Sequence, residues 1–240
     1  MFLLFCFFKT IEDWLIPKSI KVYCIILTMD KNLEKVSPKV REHIEKAVLP
    51  RYSELRGHTV DHIDYVIRRS LKFAGEIPEI NFDMVYIIAA YHDLGRLVNN
   101  ENHNFESAKM LLKDKFLAEK FSEEERRIMA EAVEDHRSPL KYEPRSIYGK
   151  IVSSADRNTE VSQAVKRSFN YNRVLHPNYS VEETIEDARV HLREKFGAGG
   201  YAKGKMYFKD SEYEKFCEEI EEITKAPEEY LKVAKRILGV

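Results

Sequence analysis

Five of the eight histidines in this chain fall in a suggestive order, His58, His62, His92, His103 and His136, with Asp93 and Asp156 interleaved among them. Imidazole and carboxylate donors together suit Mn, Fe, Zn, Co or Ni, and fit less well with a site made for Mg or Ca alone. The adjacent pair His92-Asp93 says most. It closes the stretch from Met84 to Tyr91, which is apolar on every side, and an unpaired carboxylate buried there would be costly. A metal ion would neutralise Asp93 and take up a lone pair of His92. For this pair alone an interior His-Asp hydrogen bond that merely ends a helix is the open alternative. His58 lies one helical turn before His62, on nearly the same face. Arg96, just after the pair, suits phosphate, which guanidinium binds bidentately; it suits equally a helix end whose dipole it compensates. Lys150 and Arg157, flanking Asp156, are weaker candidates for the same role. His43, His176 and His191 lack such surroundings, one preceding a proline in a loop and the others lying on charged helical faces.

Helices must position these groups. Ser37-Pro38 reads as a cap followed by proline at the first helical position, and Val40, Ile44, Ala47 and Val48 recur with helical spacing. A second helix is expected to begin near Thr59, with Ile63, Val66, Ile67, Leu71 and Ala74 on its buried face. Asn81 caps a third, with Asp83 in its first turn, and Gly95 is expected to stop it in the left-handed conformation. A fourth is expected from about His103 to Glu119. Ser122-Glu123-Glu124-Glu125 is a capping box that opens a fifth. A sixth, from about Ser146 to Phe169, carries Asp156 on a turn of small residues. Ser180 and Ser211 open two more capping boxes. The glycine-rich stretch from Gly197 to Gly204 follows no strand, which argues against a dinucleotide or P-loop site and for a loop between helices.

The sparse Gly and Pro, 9 and 8 in 240 residues, agree with long helices. Hydrophobic residues at 44% allow a sizeable core. The 39 basic and 40 acidic residues give a net charge of -1, without the positive excess of a general nucleic-acid binder. Three scattered cysteines exclude a disulfide framework or a thiolate zinc site, and a reducing, cytoplasmic location is expected. The apolar runs 2–8 and 22–29 are too short to span a bilayer. Three readings of this segment stand side by side: a start at Met29, an extra helix on the domain, or an anchor.

Several of these residues together resemble a known family. Ala89-Ala90-Tyr91-His92-Asp93-Leu94-Gly95-Arg96 resembles the signature of the HD-domain superfamily, an apolar helix ending in His-Asp-(Leu/Ile)-Gly-(Arg/Lys). Gly57-His58-Thr59-Val60-Asp61-His62-Ile63-Asp64-Tyr65-Val66 is similar to the family's first histidine motif, and Ile151-Val152-Ser153-Ser154-Ala155-Asp156-Arg157 to its final aspartate motif. The resemblance covers about residues 57 to 160. It implies an all-α HD-domain helical bundle around a metal site, with extra C-terminal helices. The division expected is an apolar extension over 1–28, a catalytic core over 29–178 and a C-terminal helical extension of the same domain over 179–240.

The resemblance also implies roles. His62, His92, Asp93 and Asp156 hold a metal ion. His58 is matched to a proton-donating histidine of the cyclic-nucleotide phosphodiesterases, with an ordinary helix-start histidine as the alternative. His103-Asn104-Phe105-Glu106-Ser107-Ala108 resembles the His-x-x-x-(Gly/Ser)-Ala element of several branches, and His136 ends its helix as in dinuclear members. The two imply a second ion, with Asp93 as the bridge; singly, each reads as a surface or capping histidine. The expected cofactor is a divalent ion (Mn, Fe, Co, Ni, Zn or Mg), one or two per chain.

The expected reaction is hydrolysis of phosphate ester or phosphoanhydride bonds in a small phosphorylated substrate, a nucleotide, with Asp93, Arg96 and His58 in the chemistry. Leu94-Gly95-Arg96 departs from the acidic residues that the alarmone hydrolases place after their His-Asp. Two other classes stay open, a dinuclear iron oxygenase and a silent scaffold that binds a nucleotide. No nucleic acid and no stable membrane association are expected, and oligomerisation is left open.

Overall fold

The computed structural model describes residues 31–55, 60–137, 141–203 and 206–240. Expectations about residues 1–28, His58 and Thr59 lie outside the described residues. Among those described, every regular element is helical, and no helix is long and apolar enough to cross a membrane.

After a 3-10 turn, Leu33–Lys35, the described chain forms α1, Pro38–His43, and continues through a π turn, Ile44–Val48, and a 3-10 turn, Leu49–Glu54. Proline does start α1, but Ser37 does not cap it with its side chain. Instead Ser37 donates its N–H and Oγ to the two carboxylate oxygens of Asp83, at 2.6 and 2.9 Å. Then come α2, Val60–Ala74, and α3, Phe82–Tyr91. Asn81 caps α3, accepting from the Met84 N–H at 3.3 Å. Every residue of α3 from Met84 to Tyr91 is buried, so this helix is the axis against which α2, α6, Glu123–Glu134, and α7, Ile147–Ala155, pack. Each large side chain so buried contributes about 1.5–3 kcal/mol.

Two expected helices break, in both cases at an aspartate. The fourth ends at Lys113 as α4, His103–Lys113, and a new helix, α5, Lys115–Lys120, starts at once. Asp114 caps α5 through the Leu117 N–H and also accepts from Tyr91 Oη at 2.6 Å and pairs with His43 Nε2 at 2.8 Å. His43, which stacks on Phe116, is thereby a packing residue. The sixth helix stops at Ala155 as α7, and Asp156 is its C-cap. The Asn158 side chain then accepts from the Glu160 N–H, a local turn that competes with helix, and α8 begins afresh, Val161–Leu175.

Beyond α8 lie α9, Val181–Phe196, α10, Ser211–Thr224, and α11, Pro227–Leu238. The Ser122 and Ser180 capping boxes form with both reciprocal bonds. The one expected at Ser211 does not, because Asp210 sits one residue earlier and caps α10 through the Glu212 N–H. Two apolar clusters result, one built on α1 to α7 with the turns beside α1 and one on α8 to α11 that starts at Ala164 and Val165. The buried pair of Arg69 on α2 and Asp210, at 2.5 Å, ties one to the other.

Candidate metal centre

His92 and Asp93 leave the end of α3 at the centre of the larger cluster, where His92 is fully buried and Asp93 nearly so. Asp93 takes φ -107, ψ 0 and starts a 3-10 turn, Leu94–Leu97. Gly95 in that turn was expected to adopt a left-handed conformation. Its φ is not positive; the glycine serves close approach. A Cβ there would lie 2.2 Å from the His103 carbonyl oxygen and 2.4 Å from the Ser107 nitrogen. The missing side chain lets the first turn of α4 rest on the 3-10 turn. Ser107 locks the contact, accepting from the Gly95 N–H at 2.7 Å and donating to the His92 carbonyl at 2.9 Å. This packing brings His103 to Asp93.

His136 arrives from the end of α6. The Asn104 amide of α4 donates to the Glu134 carbonyl at 2.9 Å, and Arg145 grips both Asp135 and Glu134 through its guanidinium. His62 stands in the first turns of α2. Asp156 ends α7, whose Ser153, Ser154 and Ala155 are all buried. Tyr65, one turn on from His62, donates to the Arg157 carbonyl at 2.9 Å and bonds Thr159 Oγ1 at 2.8 Å, fixing α2 against the Asp156 turn.

Six residues singled out from sequence as ligands, His62, His92, Asp93, His103, His136 and Asp156, thus come together around one carboxylate. Its two oxygens divide them. Asp93 Oδ2 lies 3.8 Å from His62 Nε2 and 3.7 Å from His92 Nε2. Asp93 Oδ1 lies 3.2 Å from His103 Nε2 and 3.7 Å from His136 Nε2. Asp156 Oδ1 joins the first set, at 3.2 Å from His62 and 3.9 Å from His92. Two triads with donor atoms mutually within 4.8 Å result, His62-His92-Asp93 and Asp93-His103-His136.

The protons explain why these groups need a cation. His92 Nδ1 bonds the Ala89 carbonyl at 2.7 Å, His103 Nδ1 the Asn100 carbonyl at 2.9 Å and His136 Nδ1 the Val133 carbonyl at 2.6 Å. A carbonyl only accepts, so each Nδ1 carries the proton and each Nε2 offers a lone pair. Those lone pairs face carboxylate oxygens and, between His103 and His136 at 3.2 Å, each other. Buried His92 Nε2 has no hydrogen-bond partner among the described residues. Converging acceptors repel unless a positive charge sits among them.

Protons do not serve easily. Burial pulls the His92 and His103 imidazoles below the ordinary histidine value, against the pull of Asp93. Burial, followed by the charge of His92, takes His136 down to about 3. Burial acts to raise Asp156, but the hydrogen bond and charge of His62, then the charge of His92, outweigh it and hold this carboxyl below the usual range. Neutral imidazoles with ionised carboxylates are the form a divalent ion binds, and the outward Nδ1–H bonds orient the rings as metal-bound histidines are oriented. The residues fit a metal ion.

Arg96 is more committed than its sequence position suggested. Its Nε lies 2.8 Å from Asp93 Oδ1 and its Nη1 donates to Asn100 Oδ1 at 2.5 Å. Its Nη2 has no hydrogen bond among the described residues, and Arg96 still lines the cavity above the centre. Lys150 pairs with Glu143 at 2.9 Å and is not on that cavity's wall. The cavity, about 430 Å³, runs from His62, Asp93 and Asp156 out between α8 and α9. Its far wall holds Arg167, Tyr171, His191, Lys195 and Tyr201, none of which the sequence pointed to as site residues. Their one trace there is helical spacing, Arg167 with Tyr171 and His191 with Lys195, each pair one turn apart. A second cavity, about 440 Å³, opens on the other side of His62 and Asp156 toward Asp61, Arg68 and Lys166.

Compared with known protein families, the chain matches the HD domain over residues 19–159. No curated protein and no solved structure matches it.

Proposed function

Since this chain belongs to the HD domain family, we propose that it is a metal-dependent phosphohydrolase, cleaving phosphate ester or phosphoanhydride bonds in a small nucleotide-type substrate. One observation carries the reading. Asp93 turns one oxygen to each of two histidine pairs, and the proton-free Nε2 atoms of His92, His103 and His136 converge with it beneath a cavity rich in guanidinium and ammonium groups. His62, His92, Asp93 and Asp156 would hold one divalent ion, and Asp93, His103 and His136 a second.

Bound there, such an ion supplies hydroxide from water near neutral pH and offsets charge on a phosphoryl oxygen. The protein's own groups do the rest. Arg96 sets a positive charge beside Asp93, its Nε 2.8 Å from the oxygen that meets His103 and His136. Arg157, on the cavity wall beside Asp156, attracts the phosphate. His58 is assigned the proton delivered to the departing oxygen, on its sequence relation to His62. Leu192 and Phe196 of α9 give the cavity part of its apolar lining.

A panel of nucleotides offered with Mn, Co, Ni, Mg or Fe(II), with phosphate and pyrophosphate measured separately, tests the proposal. Metal-dependent release by the parent and its loss in Asp93→Ala are expected. Oxygen uptake with Fe(II) and no phosphate release would favour an oxygenase instead. Tight nucleotide binding without product under every metal would favour a scaffold.

A further inference from the structure

The wall formed by α8 and α9 lies beyond the family match, which ends at residue 159, yet it closes the cavity over the centre. Two of its cations stand out by what they lack. Across this protein, basic side chains are commonly held by acidic ones: Lys46 by Glu42, Arg127 by Glu124 and Glu131, Arg189 by Glu186. Arg167, exposed to solvent, and half-buried Lys195 have no ion pair and no side-chain hydrogen bond among the described residues. Lys195 Nζ rests 5.2 Å from the ring centre of Phe196. Burial, then the charge of Arg157, pulls its ammonium below the ordinary lysine value. An anion beside Lys195 would relieve both.

The two cations are also well placed. Arg167 and Tyr171 occupy one face of α8 while His191 and Lys195 occupy one face of α9, and all four line the same cavity. The helices are held together by Ser168 Oγ, which donates to the Ala188 carbonyl at 3.1 Å. Lys195 is held by the glycine stretch that follows it. The Ala202 N–H donates to the Lys195 carbonyl at 3.0 Å, and a Cβ on Gly200 would come within 2.6 Å of the same oxygen. That loop therefore packs back on the end of α9 and fixes the lysine backbone in advance of any ligand.

Charge sorts the two cavities. The one beneath α8 and α9 is lined by four permanent cations, Arg96, Arg157, Arg167 and Lys195, against two carboxylates, Asp93 and Asp156. Both carboxylates belong to the ligand set. Once they face metal ions, the cations are in excess. In the other cavity, which Arg167 and Asp156 also border, Asp61 and Glu160 accompany the basic residues, and Arg68 is paired with Asp64 at 2.6 Å.

We propose that Lys195 and Arg167 form a second anion subsite, which selects substrates carrying a further phosphoryl group beyond the one under attack. This rests on the reading of the centre as a phosphate site and narrows its substrate class to diphosphates, triphosphates and bisphosphorylated molecules. The subsite makes Lys195 and Arg167 specificity-determining residues, apart from the metal ligands.

The test is a titration of the full, Mn-loaded chain with inorganic phosphate and with pyrophosphate, by calorimetry. The parent should bind pyrophosphate at least about tenfold more tightly than phosphate, a difference of about 1.4 kcal/mol. Lys195→Met and Arg167→Gln should each reduce that ratio to about threefold or less, with Mn content and phosphate affinity unchanged. A parent without the preference, or variants that keep it, overturns the subsite. So do variants that lose Mn or phosphate affinity in equal measure, since the residues would then serve the metal centre. Preference present but no substrate hydrolysed under any metal would sink the phosphohydrolase reading and leave the subsite standing. Hydrolysis with a ratio insensitive to both substitutions would do the reverse.

Discussion

Replacing Gly95 by alanine puts a methyl group where the first turn of α4 meets the 3-10 turn after Asp93. The added carbon would lie 2.2 Å from the His103 carbonyl oxygen, 2.4 Å from the Ser107 nitrogen and 2.8 Å from Glu106 Cβ, against an ordinary contact that begins at 3.4 Å. Two of these neighbours are backbone, so no side chain can swing away. The start of α4 must retreat by about 1.2 Å, the difference between 3.4 and 2.2. Overpacking of this kind costs roughly 1–3 kcal/mol. Loss of the Gly95 N–H to Ser107 Oγ bond adds about 1 kcal/mol. A total of about 2–4 kcal/mol is a large part of the roughly 5–15 kcal/mol typical of a folded domain but leaves the native state populated. The functional consequence is sharper. His103 would move by several times the roughly 0.2 Å that a metal-ligand distance tolerates, while His62, His92 and Asp156 sit on other elements. Gly95→Ala should therefore unfold at lower urea and, after reconstitution with Mn or Fe, hold fewer ions per chain than the parent, about one against two on the dinuclear arrangement proposed. Ser107→Ala removes the hydroxyl bonds without the clash and should lose less stability and keep its metal. If Gly95→Ala matches the parent in both urea midpoint and metal content, the close-approach argument is wrong.

Three further outcomes follow from the same geometry. His136→Ala should leave about one tightly held ion, and His62→Ala should deplete the ion on the Asp156 side first; elemental analysis giving one ion in both parent and His136→Ala would refute the dinuclear arrangement. Arg145→Met should weaken retention of the His136-side ion and cost about 2–3 kcal/mol by stripping buried Asp135 of its guanidinium, with Arg145→Lys restoring only part because lysine lacks the planar fork; unaltered metal retention in Arg145→Met would argue against this positioning role. In chelator, stability should fall with pH below about 6.5, because His92, His103 and His136 stay neutral in the folded state while the unfolded chain takes up their protons. Each contributes a slope of up to about 1.4 kcal/mol per pH unit, reaching for His136 down to its folded value of about 3. Urea midpoints at pH 8 and 5.5 measure this, and a midpoint that holds or rises on acidification contradicts it.

Local chemistry in the chain was enough for much of the architecture. The all-helical class followed from periodicity and from few glycines and prolines, and the Ser122 and Ser180 boxes from residues three apart whose bonds close within one turn. Met84 to Tyr91, apolar all round, could only be a central helix, so the His-Asp pair at its end had to be buried. What the chain did not disclose was long-range. Helices were read straight through Asp114 and Asp156 because both positions fit a helical pattern locally. Asp114 breaks its helix while also accepting from Tyr91 and pairing with His43, from elements 23 and 71 residues away. Gly95 was assigned a backbone role when its real constraint is the carbonyl of His103, a neighbour only after α4 docks. The division of Asp93 between two histidine pairs depends on which oxygen faces which helix, and no spacing encodes that. Arg167 and Lys195 were invisible for the same reason: on two amphipathic helices one cationic turn looks like any solvated face, and only the packing of α8 on α9 over the centre decides which cations border the cavity.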